Sequence, residues 1–456
     1  MMRSPLLDAP IAPMLFRLAW PTLLAMGATM FVAIAETSYV GALGTPALAG
    51  LALVFPMAML QQMLSNGAMG GGVSSSIARA LGARDEESAG ALAFHATLIG
   101  LCAGVFFSAI IFLFGDPIYR ALGGRGAELT EALAYSHVFA LGVLGIWMTN
   151  TFVSVLRGGG DMRSPSLAML VAAVVQIAVG GALGLGLGPF PRWGMAGVAS
   201  GQTVAFIGVA LFLLFRITRE NARVRLTFRG QRISRAMFAD ILRVGALACV
   251  SPVQSVATVL VLTKLVSFFG VEALAGYGIG ARLEFLLTPF AFAFGVACIP
   301  MVGMAMGAHE VGRARRVAWT GATIAAICLG AIGFFFAIFP DLWAVHFTND
   351  AGVLQATRDY LRWTGPAYPF FGFGMCLFFA SQGAGRVLGP VLSSTLRLAT
   401  IAGGGAIATA LGAPLWVMFA LVGLALVLYG LATGASVYFT RWGPPAPAGP
   451  KRRRAT

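Results

Sequence analysis

Apolar runs of about 20 residues or more recur along the whole 456-residue chain, separated by short polar breaks. That pattern leaves few folds open. In hydrocarbon each backbone N–H and C=O has to be satisfied within its own segment, so every run reads as a membrane-crossing helix. Twelve such spans are expected, at 15–40, 47–79, 88–114, 128–156, 164–187, 194–219, 236–268, 273–306, 313–339, 352–382, 389–411 and 414–441. Hydrophobic residues make up 58% of the chain and charged residues 11%, whereas a soluble surface needs about 25% charged residues. The expected fold is an all-α polytopic membrane protein. Several spans exceed what a perpendicular helix requires, so they tilt or kink, with Pro21, Pro56, Pro252, Pro289 and Pro300 as candidate kink points.

The net charge of +14 lies in the breaks and on the tail KRRRAT. It does not follow a face with interleaved aromatics, so no nucleic-acid partner is expected. With both termini placed in the cytoplasm, the inner segments hold 23 Lys and Arg residues. The outer loops then hold three (Arg120, Arg125 and Arg192), or five with Arg358 and Arg362. This asymmetry orients the chain termini-in. The start, MMRSPLLDAP, lacks a small-residue cleavage pattern, and the first helix is expected to be retained. All five cysteines lie in apolar runs without CxxC spacing, so neither disulfides nor a metal site is expected.

The chain also repeats itself. GTPALAG at 44–50 matches GVEALAG at 270–276, offset by 226 residues. ALGAR at 80–84 matches AMGAH at 305–309, and RGGGDMRSP at 157–165 matches QGAGRVLGP at 382–390, both offset by 225. A near-constant offset over three matches marks two copies of a six-helix unit. The expected division is an N-lobe at 1–219, a basic cytoplasmic linker at 220–235, a C-lobe at 236–441 and a basic cytoplasmic tail at 442–456. Six is even, so both copies enter the membrane in the same sense, as a parallel repeat about an axis along its normal. Two pseudo-symmetric lobes around a central cleft suit alternating access.

Two of the 17 acidic residues, Glu36 and Glu284, fall well inside the spans. Intramembrane carboxylates are costly and are functional candidates by default. For Glu36 the competing reading is snorkelling, since Gly41 at the outer turn lies about 7 Å further along the helix. Its counterpart in the second copy is Leu262, so the acid belongs to one lobe only. Glu284 has Lys264, Arg282 and Arg397 as available basic partners, and reads either as an ion pair fixing helix packing or as a second cation-binding carboxylate. Gln61, Asn150 and Met148 are candidate cavity-lining residues on the second and fourth spans. Flexible thioethers suit a surface that accepts many shapes, although ordinary packing explains any single Met as well. His95 and His137, without spacing to an acid, read as packed residues.

Several passages carry a resemblance. They are LAWPTLLAMGATMFVAIAETSYVGALGTPALAGLALVFP in the first two spans, GGDMRSP, GPFPRWGMAGVASGQTVAF, FFGVEALAGYGIGARLEFL, and PAYPFFGFGMCLFFASQGAGRVLGP. In order and over nearly the whole chain they resemble the multidrug and toxic compound extrusion (MATE) transporters, with the bacterial DinF-like branch most similar. The resemblance implies efflux of amphipathic, often cationic, drugs coupled to inward H⁺ or Na⁺ flow. Gln176 and Thr203 match the family's polar N-lobe positions. Two departures stand out: the usual first-span Asp is Glu36, and the usual fifth-span Asp is Gly180.

The expected function is therefore a secondary active multidrug antiporter of a bacterial inner membrane, H⁺ favoured over Na⁺ because one acid is missing. Its expected partners are small amphipathic or cationic drugs and membrane lipids, and it is expected to work as a monomer with no cofactor beyond the coupling ion. The alternatives are a flippase for lipid-linked precursors and a channel. The first needs a more basic cavity and the second a continuous polar stripe. An enzyme is not expected, since neither GxxxxGK[ST] nor a nucleophile–base pair occurs.

Overall fold

The computed structural model describes residues 5–219, 223–228 and 230–443. Among these the chain is helical, with no strand. We label the long helices α1 (Ile11–Leu43), α2 (Thr45–Gly82), α3 (Glu86–Ala121), α4 (Gly126–Gly158), α5 (Arg163–Leu185), α6 (Met195–Thr218), α7 (Arg235–Ser267) and α8 (Val271–Gly307). They continue with α9 (Val311–Ile338), α10 (351–383), α11 (Leu388–Ala410) and α12 (Leu415–Phe439). Eleven of them are long and apolar enough to cross a membrane. The other, α10, is divided into Ala351–Thr364 and Tyr368–Gly383 by a 3₁₀ turn at Gly365–Ala367, where Pro366 lacks a backbone donor.

The repeat is written into the backbone. Gly44, ending α1, and Gly270, ending α7, both take positive φ, at 117° and 101°. Only two non-glycine residues among those described do so, Arg84 (62°) and His309 (60°), and they are 225 residues apart. Gly160 and Gly385, the third sequence match, repeat the pattern at 86° and 71°. Each copy thus turns its chain with the same local geometry at the same place.

Helices α1–α6 pack together, with α4 against α2, α3 and α6, and α5 against α6 and the half of α1 that carries Glu36. Helices α7–α12 form the second bundle around α8 and α10. Pro21, Pro56, Pro289 and Pro300 sit inside continuous helices, and Pro252 follows a break in α7 at Cys249. The larger irregularities are elsewhere: π-helical turns interrupt α2 at Met63–Met69 and α11 at Thr400–Gly404. The five cysteines are free. Buried His95 bridges α3 to the chain before α7, its Nδ1 on Ala91 O (2.7 Å) and its Nε2 accepting from Ser234 N–H (2.9 Å). His137 stacks obliquely near Phe112. Linker residues Val224 and Leu226 are buried against the first bundle. Linker positions 220–222 and 229, and the tail beyond 443, lie outside the described residues.

The bundles meet through the halves of their helices nearest the chain termini. There α2 crosses α8 at Ala78 and Gly82 against Gly303 and Gly307. A Cβ on Gly303 would lie 2.7 Å from that of Ala78, and one on Gly82 or Gly307 would collide with the backbone at Met304 or Arg79. Residues 78 and 82 are the repeat counterparts of 303 and 307, so the pseudo-twofold axis passes through this contact. Small residues let two backbones touch where lipid supplies no hydrophobic drive. Two further clamps close the same face. Arg79 pairs with Asp240 at 2.8 Å, and Arg313 Nη2 donates to Leu6 O and Ala9 O at 3.0 and 2.7 Å.

Candidate functional site

Glu36 sits in the half of α1 away from the termini, partly buried, seven residues before the helix ends. Its neighbours Thr37 and Ser38 donate to their own helix, at Ala33 O and Ile34 O. The acid has no such local outlet and turns to α5, where Gln176 Nε2 donates to Glu36 Oε1 at 2.9 Å. Buried Tyr135 of α4 donates its hydroxyl to Gln202 Oε1 of α6 at 3.4 Å. The Glu36 carboxylate makes no ion pair among the described residues. A group in that setting exchanges a bound cation or proton with little rearrangement, because no fixed positive charge competes for it.

Helix packing explains the missing second acid. Gly180 lies against α6, and a Cβ there would sit 3.2 Å from Val198 O and 3.8 Å from Gly201 Cα. A Cβ on Gly201 would collide with Gln176 O, and Gly184 and Gly197 continue the seam one turn further. A side chain at 180 meets the α6 backbone at this level, so the α5–α6 seam favours a small residue there.

The remaining N-lobe candidates fall into separate places. Thr203 donates to Val138 O at 3.1 Å, joining α6 to the α4 backbone rather than to Glu36. Gln61 is fully buried and accepts from Trp147 Nε1 at 2.8 Å. Asn150 donates to Gln62 Oε1 (2.8 Å) and Ser65 Oγ (2.7 Å). Met148 packs into the apolar core between α3, α4 and α6, away from that pair. Sequence reasoning missed the seam these residues belong to. Trp147, Asn150 and Arg157 on one face of α4 meet Gln61, Gln62, Ser65 and Asn66 on α2, with Arg157 Nη1 on Asn66 Oδ1 at 2.8 Å, and Ser154 O on the same face accepts from Ser74 Oγ at 2.7 Å. Polar residues at helical spacing in both apolar runs were the signal. Tyr135 and Gln202 carried no comparable signal.

In the C-lobe, Glu284 faces Arg397 of α11, with Nη2 3.6 Å from Oε1, and accepts from the Tyr360 hydroxyl at 3.4 Å. The Arg397 guanidinium also lies 5.5 Å from the Phe371 ring centre. The other two basic candidates go elsewhere. Lys264 lies over Phe268 and Arg282 over Phe347, at 4.9 and 5.5 Å. One acid of the pair of lobes is thus neutralised internally, and the other is not.

A twelve-helix, two-lobed membrane bundle with an uncompensated carboxylate in one lobe defines a multi-pass membrane transporter. The chain belongs to the MatE family, whose model matches residues 21–180 and 248–402. It is 25% identical over 401 residues to a protein of Shewanella oneidensis named FAD transporter, covering 87% of each chain. It is 24% identical over 389 residues to the probable multidrug resistance protein NorM of Thermotoga maritima, covering 85% of this chain and 83% of that one. Among solved structures, a MOP superfamily transporter from Pyrococcus furiosus superposes with a TM-score of 0.87 at 24% identity, covering 95% of this chain and 97% of that one. The Vibrio cholerae MATE transporter VcmN in its bent form superposes with a TM-score of 0.85 at 20% identity, covering 94% and 96%.

Proposed function

We propose that the protein is a secondary active efflux antiporter that exchanges amphipathic, cationic compounds for protons, with Glu36 as the coupling acid. The observation that carries this reading is the bond from a neutral donor, Gln176, to a carboxylate with no ion pair among the described residues. Proton and cationic drug then compete for one charge: the carboxylate holds the drug, and protonation releases it. H⁺ is preferred over Na⁺ because Na⁺ needs several oxygen ligands, and the position of the second acid is filled by the α5–α6 contact.

Helix α1 supplies the link to movement. Its first half packs on α8 and α9 through Met14, Leu15 and Leu18, while its second half carries Glu36 against α5. A change at Glu36 therefore acts on a helix that both lobes hold. With the termini in the cytoplasm of a bacterial inner membrane, the face closed by the α2–α8 contact is the inner one. The division into lobes at 1–219 and 236–441, acting as a monomer, completes the reading.

Ethidium efflux from proteoliposomes, with a pH gradient and a Na⁺ gradient imposed separately, tests it. Efflux driven by the pH gradient alone is expected. Efflux driven by Na⁺ alone overturns the choice of ion, and no efflux under either favours a flippase. Because one relative is named for FAD, FAD is the second cargo to load.

A further inference from the structure

A cavity of about 450 Å³ opens at the top of the N-lobe, on the face opposite the termini. Its walls are Leu43 at the end of α1, Glu131 and Ala134 on α4, and Arg192, Trp193 and Met195 leading into α6. The same three helices carry Glu36, Tyr135 and Gln202 further in. From wall to inner group is seven residues on α1 and on α6, about 10 Å of helix, while on α4 Tyr135 directly follows the wall residue Ala134. Glu36 lies inward of the cavity on a helix that forms its wall.

The cavity is built, and its depth is limited. Gly186, at φ 72°, lets the loop pack on the Arg192 backbone, and Trp193 N–H donates to Leu183 O at 2.8 Å. Val40, Tyr135 and Phe139 are buried below it, so a bulky solute stops at this floor. The Tyr135 hydroxyl is the polar group that continues inward, donating to Gln202 of α6 at 3.4 Å. Glu131 makes no ion pair among the described residues. The charged groups around it are Arg192 across the cavity and, one turn back on α4, Glu128, which accepts from Arg125 N–H.

The geometry points to a proton port: an access route from the outer face to Glu36 that is separate from the cleft between the lobes. This rests on Glu36 being the coupling acid. A hydronium ion in the cavity, relayed by the Glu131 carboxylate and the Tyr135 hydroxyl, leaves as water while an O–H bond forms on Glu36. No oxidant or co-reactant is involved. Arg192 holds the local potential against a resident Na⁺ or organic cation, whereas a proton hops through water and side chains. Protonation then reaches Glu36 while drug occupies the cleft, which lets the proton displace it.

The test is modification of Ala134→Cys in oriented proteoliposomes by a small, impermeant methanethiosulfonate reagent added on the outer side, with treated wild type as control. Proton-driven transport is expected to fall about tenfold or more, with equilibrium drug binding within about twofold of wild type. Glu131→Gln, unmodified, should slow transport about threefold to tenfold, also without loss of binding. Unchanged transport in modified Ala134→Cys, or an equal loss of drug binding, overturns the port. The two readings fail differently. Proton-coupled transport surviving in Glu36→Gln removes the coupling acid, and with it the port. An uncoupled Glu36→Gln beside a fully active, modified Ala134→Cys removes the port alone.

Discussion

Gln176 Nε2 lies 2.9 Å from Glu36 Oε1, joining the fifth helix to the first by a neutral donor on a carboxylate. The C-lobe treats its own acid differently, setting Arg397 beside Glu284 at 3.6 Å. A charge countered by a neutral amide is available for exchange with the solution. One countered by a guanidinium is held, because releasing it strands a buried cation.

The first prediction concerns that amide. Gln176→Leu removes a hydrogen bond from the charged form of Glu36, worth about 1 kcal/mol inside a helical bundle. A cationic drug should bind about fivefold more weakly at neutral pH, while the melting temperature stays close to wild type. Isothermal titration and a thermal melt on the same preparation check both halves.

Restoring the missing acid should not create a Na⁺ site. Gly180→Asp drives a side chain into the α5–α6 seam near Val198 O and Gly201. Overpacking alone costs about 1–3 kcal/mol, so the expected outcome is a lower melting temperature with no Na⁺-dependent efflux. A stable, Na⁺-driven variant would mean that the seam opens more readily than its backbone contacts indicate.

The closed face depends on small residues where α2 crosses α8. Added bulk should open it: a side chain on Gly307 would collide with the Arg79 backbone, so Gly307→Leu wedges the α2–α8 contact. Labelling from the terminus side at positions lining that contact should rise, and unchanged labelling would mean that this contact does not close the face.

For the C-lobe pair, Arg397→Met leaves Glu284 without its counter-charge and should destabilise the protein by about 3–5 kcal/mol. The double variant Glu284→Gln with Arg397→Met should recover much of that loss. If Glu284→Gln alone abolished proton coupling with the fold intact, the pair would be part of the transport chemistry and not a packing device.

Much of this architecture was legible in the sequence because it rests on two simple signals. Hydrophobic runs fix the spans, and the 225-residue offset fixes the repeat, down to the positive φ shared by Arg84 and His309. Glu36 was legible because a carboxylate in an apolar run needs a reason. Less readable was whatever depends on partners across helices. Thr203 could be assigned a polar role but not its acceptor, Val138 O. Gln61 and Asn150 could be flagged without showing that Trp147 and Gln62 occupy them. The π turns at 63–69 and 400–404 carry no proline to announce them. Gly180 read as a lost ligand, and its contact with the α6 backbone was not legible.

The most direct measurement of the central claim is proton release on drug binding. Purified protein in weakly buffered solution is mixed with a monovalent organic cation, and the pH change is read with an indicator dye. If proton and drug compete for Glu36, wild type releases up to one proton per drug bound, and Glu36→Gln releases none while still folding. Equal proton release from Glu36→Gln, or none from wild type at any pH where the drug binds, contradicts the account.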